Sequence, residues 1–344
     1  MKPEINKPYL LEKLQEIINT PSPTGFCGGV IDHCEKLAHN LGYSFSRNQK
    51  GNGLIEVEGE DNSYGVAVFV HVDTLGAMVR SINSDGTLRI TTLGGNMFST
   101  LDGEYCSIHT RGGKIYTGTV LSTSPAAHVF KDAHSLERRE DTVMVRLDEV
   151  VFTKADTEAL GIGTGDFICI DPKFQVTQNG FVKSRYLDDK GSTACVFAIL
   201  EHWKRMGTKP RHRTLFVLST YEETGHGGSN IPAWVNEAIA FDMGCVGADL
   251  AGHETKVSIC PKDSSGPYDY GMTNRLMEIA KALELPHAVD IFPMYGSDAG
   301  AALRAGWDIK AALVGPGVGA SHGMERTHVD GLESAAQLVL AYLS

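Results

Sequence analysis

The sequence predicts an α/β fold with a partly parallel sheet, interrupted by a small inserted β domain. Two continuous apolar runs, 66–70 and 215–218, are typical of strands covered on both faces. Helical apolar spacing accompanies these runs, whereas the segment from about Gly76 to Asp171 contains short β-like stretches separated by turns. Because α/β patterns occur on both sides of that segment, we expect it to be inserted into a single α/β domain.

The start of the chain predicts two helices before the first strand. Leu10, Leu14 and Ile17 recur at helical spacing, and the pattern stops at the breaker segment 21–25, which contains two prolines and a glycine. A second helical pattern ends at Gly42, because glycine adopts the left-handed C-cap conformation without steric cost. The first apolar strand then follows.

The middle of the chain predicts a small β-barrel or sandwich. Its β-like stretches lie at 88–90, 143–147 and 167–170. Turn signals such as Asp85-Gly86 separate them. We therefore assign 1–75 and 172–344 to the α/β domain and 76–171 to the insertion.

The remainder of the chain returns to the α/β pattern. Asn179-Gly180 predicts a tight hairpin that leads back into the first domain. The second apolar strand follows, and further helical patterns occupy 194–203, 276–283 and 332–343. Functional groups of such sheets gather where the strands end.

Composition excludes several classes of protein. The 31 basic and 42 acidic residues give a net charge of −11 without a polybasic run, so nucleic acid is not an expected partner. The seven cysteines form no C-x-x-C pair, which suits a reducing compartment rather than a disulfide framework. No signal-peptide pattern and no apolar stretch of membrane-spanning length occurs, so we expect a cytoplasmic protein with no membrane partner.

Two polar motifs follow the first strand and the returning hairpin. His71 and Asp73 are two residues apart and share a face of the chain, so Asp73 can orient a metal-binding imidazole. Asp188 and Asp189 precede a helical pattern, where one acid can bind a cation while the other caps the helix. Each motif alone is also compatible with a purely structural role.

The adjacent acids Glu222 and Glu223 follow the second strand and precede a glycine-rich turn. Burial of two neighbouring carboxylates is costly unless cations or protons compensate their charge. One glutamate can bind a metal ion while the other transfers protons to and from reacting groups. A two-metal hydrolytic site also requires a carboxylate that bridges both ions.

Two further ligands come from later turns, and each has an alternative. Asp242 ends the apolar run 238–241, and Asp249 is the nearest competing acid. His322 lies in a glycine-containing turn after another apolar run, and His328 is the competing imidazole. The order of these groups, each placed after a strand, is more specific than any one motif.

Together the motifs resemble those of the cocatalytic-metal peptidases that include glutamyl aminopeptidase and the tetrahedral (TET) aminopeptidases. The similar segments are 70–73, 187–190, 222–225, 241–242, 297–299 and 321–322, with 116–120 and 159–166 in the insertion. The resemblance implies a phosphorylase/hydrolase-like three-layer α/β/α catalytic domain. It also implies that the inserted β-barrel mediates dimer contacts, often within dodecamers.

The resemblance further implies a role for each site residue. The implied ligands of two divalent ions are His71 and Asp242 for one ion, Glu223 and His322 for the other, and Asp188 as the bridge. Glu222 becomes the general base, and Asp73 orients His71. Zinc is the expected metal, and cobalt or manganese would also suit imidazole and carboxylate ligands.

The chain departs from the family pattern around the last histidine, which lacks the usual following Ser-Pro, so His328 stays open as a ligand. Segments 71–79 and 265–270 resemble a branch associated with the osmoprotectant N-acetylglutaminylglutamine amide. We therefore expect an amide-bond hydrolase, an aminopeptidase that acts on short peptides as a homo-oligomer between dimer and dodecamer. The alternatives are a deacylase or amidase of a small N-acylated dipeptide, and a catalytically silent binding protein.

Overall fold

The computed structural model describes residues 2–344 and contains two compact units. The first, here called the α/β unit, comprises the chain up to Asp73 and again from Lys173 to Ser344. The second, here called the barrel unit, spans Thr74–Pro172. Both parts of the predicted fold class, the α/β sheet and the β-barrel, are therefore confirmed.

The regular elements are numbered in chain order. The α-helices are α1 (Lys7–Ile18), α2 (Gly28–Leu41), α3 (Lys154–Ala159), α4 (Leu187–Met206), α5 (Tyr270–Ala282), α6 (Asp298–Arg304) and α7 (Val329–Leu343). The β-strands are β1 (Ser46–Arg47), β2 (Gly53–Val57), β3 (Asp61–His71), β4 (Gly76–Ile82), β5 (Leu88–Leu93), β6 (Tyr105–His109), β7 (Ile115–Ser122), β8 (Val143–Leu147), β9 (Phe167–Ile170), β10 (Gln175–Val176), β11 (Phe181–Ser184), β12 (His212–Ser219), β13 (Glu237–Phe241), β14 (Gly244–Val246), β15 (Val257–Cys260), β16 (Lys262–Asp263), β17 (Gly266–Pro267), β18 (His287–Val289), β19 (Lys310–Gly319) and β20 (Glu325–His328). Short 3₁₀ turns occupy Phe98–Thr100, Glu222–Thr224 and Gly227–Ser229.

One mixed sheet organises the α/β unit. Its main path runs β1-β2-β12-β3-β13-β19-β20-β11-β10, and β14, β15 and β18 join beside β19. Strand β3 is parallel to both β12 and β13, and β13 is parallel to β19. His71 and Ser219 are register partners at the ends of β3 and β12. The carboxyl ends of three neighbouring strands therefore meet at one edge of the sheet.

Alternate residues of β3 pack into two different cores. Val66, Val68 and Val70 contact the core formed with α1, α2, α4, α5 and α7, whereas Ala67 and Phe69 face the core that includes α6. This follows from the two-residue period of a strand and explains why the run is apolar without interruption. Full burial of a side chain such as valine or phenylalanine contributes about 1.5–3 kcal/mol. Helices on both faces give the predicted three-layer arrangement.

The barrel unit is a closed six-stranded barrel with strand order β4-β5-β8-β7-β6-β9. Its interior is filled by aliphatic side chains such as Val79, Ile90, Val145 and Ile168, all nearly inaccessible to solvent. Closure pairs the strand edges that an open sheet of this size would expose. The structure thus selects the barrel over the sandwich.

The helix ends follow the sequence signals. The segment after α2 turns at Gly42, whose φ of 89° is left-handed, as predicted. Asn6 caps α1 by accepting a hydrogen bond from the Tyr9 amide.

Among residues 2–344, no helix combines the length and the apolar character that crossing a membrane requires.

Candidate metal centre

His71 stands at the end of β3 and points its Nε2 atom into the centre. Its Nδ1 donates to the Asp73 carbonyl oxygen at 2.9 Å, while the Asp73 carboxylate lies 3.7 Å away. The hydrogen bond at Nδ1 leaves the Nε2 lone pair available to a cation. The ring is thus fixed by the Asp73 carbonyl, rather than by the carboxylate as the sequence suggested.

The Asp73 carboxylate instead holds the glutamate pair. It is fully buried and accepts hydrogen bonds from the backbone N–H groups of Glu222 at 3.1 Å and Glu223 at 3.2 Å. The Thr24 hydroxyl donates to it as well, at 2.8 Å. Asp73 therefore ties the exit of β3 to the turn that follows β12, a contact between distant residues that no local motif reveals.

Asp188 lies between two imidazoles. Its Oδ1 is 3.0 Å from His71 Nε2, and its Oδ2 is 3.6 Å from His322 Nε2. Burial alone would raise the pKa of Asp188, but His322 and His71 outweigh it and hold that pKa well below the usual range. A cis peptide bond joins Asp188 to Asp189, whose carboxylate accepts a hydrogen bond from the His71 amide.

The two glutamates approach the same imidazoles. Glu223 Oε2 is 3.7 Å from His322 Nε2, and Glu222 Oε2 is 3.9 Å from His71 Nε2. Burial raises the pKa of Glu222 well above its ordinary range, opposed by His71 and reinforced by nearby carboxylates. Burial likewise raises the pKa of Glu223, with Asp188 adding to the effect. Burial of two neighbouring carboxylates thus favours their neutral forms, and nearby cations would favour the ionised forms.

Asp242 follows β13 and completes the acidic cluster. Its carboxylate accepts a hydrogen bond from the Met243 amide at 2.6 Å, and burial together with the Asp188 charge raises its pKa to about 7. Ligand atoms of His71, Asp189 and Asp242 lie within 4.8 Å of one another, as do those of His71, Asp188 and Glu223. Asp249, the rival acid, is exposed and lies outside both groups.

Several buried carboxylate oxygens of the centre lack a hydrogen-bond partner among residues 2–344. They are Glu223 Oε1, Asp189 Oδ1 and Asp298 Oδ2. Buried oxygens of this kind need a proton, a water molecule or a cation. Imidazole nitrogens and carboxylate oxygens are ligands that zinc and similar divalent ions accept, so the residues present fit a pair of such ions.

The two competing histidines have different surroundings. His322 lies in the turn before β20 with a left-handed φ of 64°, and its ring faces Asp188 and Glu223. His328 caps α7 by accepting from the Asp330 amide, and its Nε2 lies 2.7 Å from the Asn179 carbonyl oxygen. The structure therefore brings His322, and not His328, to the acidic cluster.

A cavity of about 250 Å³ opens onto the centre. Its lining residues are Asp188, Glu222, Glu223, Gly225, Asp242, Met294, Tyr295, Gly296, Ser297, Arg304 and His322. Sequence reasoning did not single out Tyr295 or Arg304 from this lining, since neither belongs to a motif of metal ligands. It also passed over Glu325, although an acid three residues after a candidate histidine is a spacing that permits a turn-stabilising contact.

Comparisons with known proteins agree with this geometry. The profile of the M42 glutamyl aminopeptidase family matches residues 51–338. YhfE of Bacillus subtilis (strain 168), described as a candidate aminopeptidase, is 43% identical over 334 residues, which cover 97% of this chain and 96% of that protein.

Two solved structures share the fold. A TET aminopeptidase from the marine sediment archaeon Thaumarchaeota archaeon SCGC AB-539-E09 superposes with a TM-score of 0.88 at 18% identity, covering 98% of this chain and 96% of that one. The Pyrococcus horikoshii TET1 peptidase, which can assemble into a tetrahedron or a large octahedral shell, gives a TM-score of 0.84 at 20% identity, covering 97% and 99%.

Proposed function

The chain belongs to the M42 glutamyl aminopeptidase family and is a metal-dependent aminopeptidase, and on that premise we propose that it removes N-terminal residues from short peptides with two divalent cations. The position of the Asp188 carboxylate is the observation that supports a pair of cations. The two carboxylate oxygens of Asp188 face different imidazoles, Oδ1 at 3.0 Å from His71 and Oδ2 at 3.6 Å from His322. This is the arrangement expected of a carboxylate that bridges two ions.

The proposed ligands are His71 and Asp242 for one ion, Glu223 and His322 for the other, and Asp188 for both. Zinc is the proposed metal, and cobalt or manganese would suit the same ligands. When bound, the cations would lower the pKa of a water molecule and polarise the scissile carbonyl. The buried Glu223 oxygen that lacks a hydrogen-bond partner supports this occupancy.

Glu222 is the proposed general base. Its side chain lines the cavity and is 16% exposed, so it can reach both the centre and a substrate. It would accept a proton from the attacking water and deliver that proton to the leaving amine. Asp73 would position it by holding its backbone N–H at 3.1 Å.

The family match favours a substrate with a free amino group. An N-acylated dipeptide lacks that group, so the aminopeptidase is favoured over the deacylase. The resemblance of segments 71–79 and 265–270 to the osmoprotectant-associated branch stays a prediction.

Metal removal and restoration, read with paired substrates, tests the proposed function. Protein treated with a chelator should lose hydrolysis of aminoacyl amides and regain it on addition of zinc, cobalt or manganese. The same panel with N-acetylated amides serves as the control and should be cleaved at least about 100-fold more slowly, since it lacks the cationic group. Hydrolysis confined to the N-acetylated panel would contradict the proposal.

We also propose a cytoplasmic homo-oligomer, between dimer and dodecamer, that assembles through the barrel unit. The barrel unit exposes apolar side chains, with Val150 at 86%, Phe152 at 77% and Tyr105 at 66%. The P. horikoshii relative forms shells, which supports assembly. The seven cysteines are free and suit a reducing compartment. Native mass measurement of the wild-type protein and of Phe152→Asp tests the assembly.

A further inference from the structure

Glu325 joins the backbones of two proposed metal ligands with one carboxylate. Its Oε2 accepts the Asp188 N–H at 3.0 Å, and its Oε1 accepts the His322 N–H at 3.0 Å. The side chain is only 2% exposed, so water does not compete for these bonds. Each bond satisfies a backbone N–H group, which costs free energy when it is buried without a partner.

Both backbone segments that Glu325 holds depart from regular structure. His322 has a left-handed φ of 64°, and so has Tyr186, two residues before Asp188, at 67°. Asp188 itself has non-helical angles within the first turn of α4. Such conformations cost free energy in residues other than glycine and persist only when surrounding contacts enforce them.

The position of Glu325 is itself fixed by the sheet. It is the first residue of β20 and is the register partner of Ser184 in β11. Strand β11 leads into Asp188, and β20 follows the turn that carries His322. The carboxylate therefore sits on a rigid element between the two segments and can set the distance between them.

We propose that Glu325 is a positioning residue that holds Asp188 and His322 at the separation a two-metal centre requires. The inference rests on the proposed function, because it assumes that both residues bind metal. Glu325 lies behind the ligands and makes its contacts with their amides, so its effect reaches a bound cation only through them. Loss of the carboxylate should weaken the ion at His322 and Glu223 more than the ion at His71 and Asp242.

The variant Glu325→Gln tests this role because it keeps the shape of the side chain. The amide has one acceptor oxygen, so its NH₂ group faces one backbone N–H and that bond is lost. The matched control is Glu254→Gln, which replaces another buried carboxylate. Glu254 Oε1 accepts a hydrogen bond at 2.7 Å from the guanidinium of Arg326, which lies in β20 next to Glu325. Metal content and affinity are measured by competition with a chromophoric chelator, and the fold by circular dichroism.

We expect wild type and Glu254→Gln to bind two zinc ions, and Glu325→Gln to bind the second ion roughly 10–100-fold more weakly. The visible spectrum of cobalt-loaded Glu325→Gln should differ from the other two, since it reports ligand geometry. If Glu325→Gln does not fold, Glu325→Asp keeps the carboxyl group but is one methylene too short to reach both amides, and the same weakening is expected.

The outcomes separate the two proposals. Two tightly bound ions with an unchanged cobalt spectrum in the Glu325 variants would overturn the positioning role and leave the metal centre intact. Equal weakening in Glu254→Gln would also overturn it, because the effect would then be general destabilisation. A wild-type protein that takes up no metal would overturn the proposed centre and this inference with it.

Discussion

At the scale of single residues, the two adjacent glutamates are placed differently, and their proposed roles in metal binding and proton transfer follow from this difference. The Glu223 side chain is 5% exposed and faces His322, whereas that of Glu222 is 16% exposed and faces His71 from the cavity. Both amides are held by the Asp73 carboxylate. Because the Asp73 carboxylate holds both backbones, the proposed difference in role depends on the direction in which each side chain points.

Replacement of either glutamate by glutamine should distinguish these roles. Glu222→Gln is expected to keep both metal ions and to lower kcat by about 10²–10⁴-fold, because the amide cannot transfer the proton. Glu223→Gln, its matched neighbour, should lose metal as well as activity. Metal analysis and steady-state kinetics on the same preparations check both. An unchanged kcat for Glu222→Gln would rule out the general-base role.

At the scale of elements, the turn after β12 is held against the first residue of α6. The Gly228 N–H donates to Asp298 Oδ1 at 2.6 Å. A Cβ atom on Gly228 would lie 2.3 Å from the backbone oxygen of Asp298, so this close approach requires glycine. The glutamate pair precedes Gly228 in the same connection, and its position is therefore coupled to α6.

Gly228→Ala should move this turn and weaken catalysis. We expect a loss of about 1–3 kcal/mol in the free energy of unfolding from overpacking, and kcat/KM lower by up to about 100-fold through displacement of Glu222. Gly247→Ala is the control, since a Cβ there meets no heavy atom within 4 Å. Denaturant unfolding and kinetics measure the two effects. Equal behaviour of the two variants would show that the turn tolerates the shift.

Much of the element order follows from the sequence, since apolar periodicity depends on local pattern and burial. Stretches 143–147 and 167–170 coincide with β8 and β9, and the helical pattern 332–343 lies within α7. The strand ends that carry His71 and the glutamate pair were also predictable, because an uninterrupted apolar run ends there. The order of strands in the barrel was not, since it depends on pairing between distant segments.

The part of the site that could not be predicted from the sequence consists of contacts between residues far apart in the chain. The Asp73 carboxylate meets the Glu222 amide 149 positions away, and Glu325 meets the Asp188 amide 137 positions away. The local sequence does not show which distant amide either acid contacts. The choice between His322 and His328 likewise required knowing which turn faces Asp188.

At the scale of the whole molecule, burial raises the pKa of several carboxyl groups in the metal-free protein. Burial is the main cause that raises the pKa of Asp298 to about 6, of Asp242 to about 7 and of Glu325 to about 8. Burial would lower the pKa of His71, but its hydrogen bond with Asp188 and the charges of nearby carboxylates together outweigh this and raise that pKa. Each raised pKa means that the folded state binds more protons than the unfolded chain.

The stability of the metal-free protein should therefore fall as pH rises. The contribution of these carboxylates is fully present below about pH 4 and is lost as pH passes through the folded values of about 6, 7 and 8. With about 1.4 kcal/mol per pKa unit, the Tm of chelated protein should be roughly 5 °C or more lower at pH 8 than at pH 5. Thermal scans at both pH values measure this.

Two controls accompany the thermal scans. Metal-loaded protein should show a smaller fall, because cations stabilise the ionised carboxylates. Chelated Asp242→Asn should also show a smaller fall, because asparagine does not titrate in this range. A Tm of chelated wild-type protein that rises between pH 5 and pH 8 would contradict the linkage.

Alternate residues of β3 face two different cores, and this limits which mutations the strand tolerates. His71 has the same parity along the strand as Ala67 and Phe69, so a deletion of one codon upstream of it would invert every later side chain and turn the imidazole to the opposite face. Substitutions among aliphatic residues in β3 would keep this phase. The aliphatic residues of β3 can therefore be exchanged for one another, whereas a change in the length of the strand would move His71.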